Sequence, residues 1–100
     1  MNNINFINKF LDYIEKERKF SKHTTRSYRY DLVEFNSFLM EYDSKLDFTN
    51  IDRTAIQFFI QKLSKNGASD KTLQRKVSSI KSLYRFLTEF SYIKKTLPYL

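Results

Sequence analysis

One hundred residues with no cysteine and one histidine leave room for a single core. They exclude disulfide staples and the usual thiolate and imidazole zinc sites. No apolar run approaches the roughly 18 residues of a membrane span, and the first twenty residues carry three carboxylates and no small-residue cleavage pattern, so a cytoplasmic protein is expected. Ten Phe and seven Tyr with one Gly and one Pro disfavour a sheet with several tight turns and favour helices.

Ile4, Ile7, Leu11 and Ile14, with Phe10 beside them, predict a one-sided helix over about residues 3 to 19. Ser21 then offers an N-cap oxygen. Tyr28, Leu32, Phe35, Leu39 and Tyr42 follow at alternating spacings of four and three, predicting a second helix over about 22 to 42. "DSKLDFTN" reads as a polar, irregular connection. Asp52 is placed to cap a third helix containing Ile56, Phe59, Ile60 and Leu63, with Ile51 set to pack on Ile56 and Gly67 supplying a left-handed stop. Ser69 caps a fourth helix, whose stripe is Leu73, Val77, Ile80, Tyr84 and Leu87 and which should reach about residue 92. Short connections make neighbouring helices pack, so an all-α, compact four-helix domain is expected over residues 1–93. Pro98 should end regular structure, and "KKTLPYL", residues 94–100, reads as the start of a linker.

The net charge of +7 is concentrated in two places. In "RKFSKHTTRSYRY", Arg18, Lys19, Lys22, Arg26 and Arg29 run without an acidic residue between Glu17 and Asp31. In "SDKTLQRKVSSIKSLYRFL", Lys71, Arg75, Lys76, Lys81 and Arg85 do the same between Asp70 and Glu89. These windows hold ten of the eighteen Lys and Arg residues, so the remaining eight face eleven carboxylates. On the fourth helix, Lys71, Arg75, Ser78, Ser82 and Arg85 fall opposite the apolar stripe. On the second, the set Lys22, Arg26 and Arg29 is centred about a third of a turn from the stripe of Tyr28, Leu32 and Phe35.

A charged outer face is usually a solvated one, but solvated faces mix signs, because like charges one turn apart oppose the helix. The first helix follows that pattern with Asp12, Glu15, Lys16, Glu17 and Arg18; the second and fourth do not. Their unopposed charge points to a polyanion. Thr24, Thr25, Ser27, Thr72, Gln74 and Ser78 among the basic residues are short hydrogen-bonders that let a helix lie close to phosphates and base edges. Two other readings fit the same features. One is a helical module whose basic face binds an acidic protein. The other is a helix-turn-helix regulator turning at Gly67, although the fourth helix is longer than most recognition helices.

"FLDYIEKERKFSKHTTRSYRYDLVEFNSFL" followed by "GASDKTLQRKVSSIKSLYRFL" resembles the N-terminal core-binding, SAM-like domain of tyrosine recombinases of the phage integrase and Xer class, over about residues 4 to 93. The most specific parts are the Ser-x-x-Thr-x-x-x-Tyr-x-x-x-Leu of Ser21, Thr24, Tyr28 and Leu32, and the Lys-Thr-Leu-x-Arg-x-Val-Ser-x-Ile-Lys-x-x-Tyr-x-Phe-Leu run from Lys71. The resemblance implies DNA integration or recombination, with this domain and a C-terminal catalytic domain forming a C-shaped clamp on duplex DNA. The second and fourth helices would enter the major groove. Carried over by residue, the contacts would be Thr24, Arg26 and Ser27, with Lys22 and Arg29 near the backbone, and then Lys71, Thr72, Gln74, Arg75 and Ser78. It also implies a parent that assembles as a homo- or hetero-tetramer on DNA in the nucleoid, with no cofactor, membrane partner or small-molecule substrate. Leu97-Pro98 stands where Xer-like members usually have Asn-Pro.

Family chemistry is strand cleavage by a tyrosine that forms a 3′-phosphotyrosyl bond, assisted by two arginines, a lysine and histidines. That set belongs to the C-terminal domain, and none of the seven Tyr, mostly at core-stripe or ordinary surface spacings, is assigned as the nucleophile. His23 reads as a partly exposed polar residue of a first helical turn. The chain is therefore expected not to be an enzyme by itself. It is either a fragment of a larger recombinase, the reading that "TLPYL" favours, or a standalone DNA-binding relic.

Overall fold

The computed structural model describes residues 2–94. Helices α1 (Asn3–Lys16), α2 (Lys22–Tyr42), α3 (Arg53–Lys65) and α4 (Asp70–Glu89) follow in order, with no strand among the described residues, so the fold is the all-α four-helix domain that the periodicities predict. The expected linker, apart from Lys94, and Pro98 with it, lie outside the described residues.

Each helix starts on a polar side chain that accepts an otherwise unpaired N–H of the first turn. Asn2 accepts from Asn5 at 2.8 Å, Ser21 from Thr24 at 3.1 Å, Asp52 from Ala55 at 2.8 Å and Ser69 from Thr72 at 3.2 Å. The two serine caps are alike in a further respect. Each hydroxyl also donates to the threonine three residues on, at 3.0 Å for Thr24 and 3.1 Å for Thr72.

Helices α1 and α4 both stop three residues before the expected ends at 19 and 92. Lys19 and Ser91 adopt left-handed backbone conformations, with φ of 58° and 62°. The following chain then closes back on the helix: Phe20 N–H donates to the Ile14 carbonyl at 2.9 Å and Ile93 N–H to that of Leu87 at 3.2 Å. These turns return Phe20 and Ile93 to the core. Neither turn has a glycine to announce it. Gly67 does mark the end of α3, at φ 92°.

The core joins Ile7, Leu11 and Ile14 of α1, Leu32, Phe35 and Leu39 of α2, Ile56 and Phe59 of α3, and Ile80, Leu83, Tyr84 and Leu87 of α4. Several inward assignments change. Ile4 and Tyr42 are exposed and Leu73 and Val77 only half-buried, while Phe6, Leu83 and Phe86 are buried. The polar connection between α2 and α3 carries a core anchor. Phe48 is 1% exposed and stacks on Phe35 with ring centroids 5.8 Å apart. Its N–H donates to Asn3 Oδ1 at 2.9 Å and its carbonyl accepts from the Tyr84 hydroxyl at 2.7 Å, so both backbone groups are satisfied inside the core. Asn3 is fixed in turn by donating to Asn36 Oδ1 at 2.8 Å.

Candidate nucleic-acid interface

A buried carboxylate joins the two basic helices. Asp31 of α2, 2% exposed, receives three donors from α4: Ser79 Oγ reaches Oδ2 at 2.8 Å, while Arg75 Nη2 and Lys76 Nζ reach Oδ1 at 2.9 and 3.1 Å. Lys76, itself buried, also lies 2.6 Å from Glu34 Oε1 and 4.8 Å from the centre of the Tyr30 ring. Burial pulls its pKa down, but the hydrogen bonds and negative charges of Glu34 and Asp31 outweigh that and hold the ammonium above the ordinary lysine value.

This cluster corrects one expectation about the charge windows. Lys76 is not part of an unopposed outer face: it is an internal cation with two carboxylate partners. Arg75 has a carboxylate partner as well, and Lys22 reaches Glu15 of α1 at 3.2 Å. The acid-free windows are therefore a feature of the linear sequence that the fold partly fills from neighbouring helices.

The cluster also sets how the helices meet. Tyr30, Asp31 and Glu34 surround Lys76, and earlier on α2 Tyr28 lines one pocket with Ser82 and Arg85. As α2 advances, its neighbours on α4 step backward, so the two helices run in opposing senses. The candidate residues from the start of α2 and those from the start of α4 consequently lie at opposite ends of the pair and approach each other at Asp31. Lys22, Arg26, Ser27 and Arg29 are exposed on α2, with Thr24 half-buried under its cap. Lys71, Gln74, Arg75 and Ser78 are exposed on α4, with Thr72 half-buried in the same way. Arg29 donates to Asn8 Oδ1 of α1 at 3.2 Å. Arg26 and Arg29 line a shallow pocket with Tyr30, Val33 and Glu34, beside the Asp31 cluster.

Sequence reasoning missed Asp31, Lys76 and Ser79 as interior residues, and Tyr30, 64% exposed, as an aromatic on the basic side. A signal existed for the first three. Asp31 falls between Tyr28 and Phe35 at spacings of three and four, and Lys76, Ser79 and Leu83 follow one another at the same spacings. Adding Leu83 and Phe86 to the α4 stripe turns its inner face toward Lys76 and Ser79.

Residues 7–89 match the family described as phage integrase, N-terminal SAM-like domain. The chain is 35% identical over 86 residues to tyrosine recombinase XerC of Lacticaseibacillus casei, covering 86% of this chain and 29% of that protein. It is 39% identical over 90 residues to tyrosine recombinase XerD of Staphylococcus saprophyticus, covering 89% and 30%, and 37% identical over 82 residues to tyrosine recombinase XerD of Rickettsia bellii, covering 82% and 26%. No solved structure gives a significant match. The chain spans roughly three-tenths of the length of these curated relatives. No helix among the described residues is long and apolar enough to cross a membrane. A match over most of the chain, on the helices described above, makes this protein a member of the phage integrase N-terminal SAM-like domain family.

Proposed function

We propose that this chain is the duplex-DNA-binding N-terminal domain of a site-specific tyrosine recombinase, laying α2 and α4 along the major groove. The observation that carries the reading is the exposed basic surface shared by two helices fastened at Asp31, in a chain related to tyrosine recombinases. Lys22, Arg29 and Lys71 neutralise phosphates, while Thr24, Arg26, Ser27, Thr72, Gln74, Arg75 and Ser78 lie near base edges or the adjoining backbone. The first turn of α2 contains no acidic residue, so its positive dipole end adds to the attraction.

The domain occupies residues 1–93, and residues 94–100 lead to a catalytic domain in the full-length protein. Strand cleavage belongs to that second domain, and the complete recombinase assembles as a tetramer on DNA. This chain contributes grip and register.

Fluorescence anisotropy with a duplex of about 30 base pairs at two ionic strengths tests the reading. With half of the clamp present, a dissociation constant of about 10⁻⁴ to 10⁻⁶ M is expected, with log affinity falling linearly against log salt. Affinity should also rise with duplex length, which a face built for an acidic protein would not show. Binding indifferent to salt would sink the phosphate-directed reading.

A further inference from the structure

We infer that Asp31 is a positioning residue for sequence reading: it holds the Arg75 guanidinium in one orientation on the outer surface of α4. This rests on the reading above, in which Arg75 meets a base edge. The geometry behind it is an asymmetry between the two ends of one ion pair. Asp31 is 2% exposed at its side chain and Arg75 is 53% exposed. A pair that served the core alone would bury both ends. Here the carboxylate is anchored independently of the arginine, because Oδ2 accepts from Ser79 and Oδ1 from Lys76, whose ammonium is buried with it. The Arg75 contact at 2.9 Å is an addition to an anchored acceptor.

A guanidinium is a rigid planar fork with five donors, so holding one nitrogen orients the whole group while leaving other donors available. An untethered surface arginine samples many rotamers and must give them up on contact with a base; a tethered one has already done so. Asp31 lies on α2 and Arg75 on α4, so the tether also ties the reading side chain to the neighbouring helix. A long-range Coulomb effect cannot substitute for this. The carboxylate would repel phosphates, and Lys76 and Arg75 largely neutralise it where it stands.

The test is a selection from duplexes of about 30 base pairs with a randomised central stretch, followed by affinity measurement on the selected duplex and on the random pool. The unaltered 100-residue chain, Arg75→Ala, Asp31→Asn and the combined variant are compared. Arg75→Ala should lower the selected-to-random ratio by about 5-fold or more, the discrimination of one base contact. Asp31→Asn should lower it by about 2- to 10-fold, the fold-change corresponding to freeing one rotamer-rich side chain. The combined variant should fall no lower than Arg75→Ala alone, because Asp31 acts through Arg75.

An unchanged or higher ratio for Asp31→Asn, with Arg75→Ala still lowering it, overturns the positioning role and leaves the reading of Arg75 standing. An unchanged ratio for Arg75→Ala removes the base contact itself and the positioning role with it. If circular dichroism shows that Asp31→Asn does not fold, Asp31→Asn with Lys76→Met, compared with Lys76→Met alone, removes the buried charge on both sides. Equal ratios for that pair overturn the proposal, and a drop in the chain lacking Asp31 supports it.

Discussion

Asp31 and Lys76, 45 residues apart in the chain, meet at 3.1 Å inside the protein and fasten α2 to α4. Removing one partner of such a pair leaves a charge in a low-dielectric site, whereas an exposed lysine on the same helix makes no comparable demand. Lys76→Ala should therefore destabilise by about 3–5 kcal/mol, and Lys81→Ala by less than about 0.5 kcal/mol. Urea denaturation of the two variants checks this, and equal effects would remove the internal pair.

The same lysine predicts an alkaline signature. Its pKa lies above the ordinary 10.5 in the folded chain, because Glu34 and Asp31 more than offset the downward pull of burial. A raised folded-state value contributes stability that is fully present below the unfolded value and is lost as pH rises through the folded one. The stability difference between the unaltered chain and Lys76→Met should thus hold steady between about pH 7 and 10 and shift against the unaltered chain above about 10.5. Denaturation midpoints of both chains across that range measure it.

Phe48 is clamped from both sides by Asn3 and Tyr84. Tyr84→Phe keeps the ring and removes the hydroxyl, leaving the Phe48 carbonyl without that donor in a buried setting. A loss of about 1–3 kcal/mol is expected, with faster amide exchange over the connection between α2 and α3. Chemical denaturation and hydrogen exchange report the two effects separately.

Phe59 and Ile80 are 2% and 1% exposed in the core. Alanine at either should cost about 2–5 kcal/mol through lost transfer energy and the cavity left behind. If either variant denatured at the midpoint of the unaltered chain, the helical phases would be wrong.

Lys19 has a left-handed φ of 58° with a Cβ to accommodate. Lys19→Gly removes that strain, so stability should stay level or rise by up to about 1 kcal/mol, whereas the same change at Lys9, inside α1, should cost about 1 kcal/mol. Thermal melts of the two variants give the sign.

Arg26 is exposed on the basic side of α2. Under the proposed function its loss should weaken duplex binding and flatten the log–log salt slope by about one counterion. Titrations at several salt concentrations would show it, and a slope identical to that of the unaltered chain would remove Arg26 from the interface.

The linear sequence determined the helices and their starts, because caps and apolar spacing are local. Ser21, Asp52 and Ser69 need only the next few residues to act, and Leu32, Phe35 and Leu39 declare an inner face by spacing alone. It also carried the charge concentration and the family motifs, which are strings of residue types. Tertiary structure decided where helices end without glycine, since Lys19 and Ser91 turn left-handed only where Phe20 and Ile93 find the core. It decided that Phe48 leaves a polar stretch to become a core residue, because Asn3 and Tyr84 come from distant parts of the chain to hold its backbone. It decided, finally, which charges are opposed. Lys76 and Arg75 stand in an acid-free run, yet Asp31 meets both across the contact between α2 and α4, and electrostatic partnership depends on distance in space rather than along the chain.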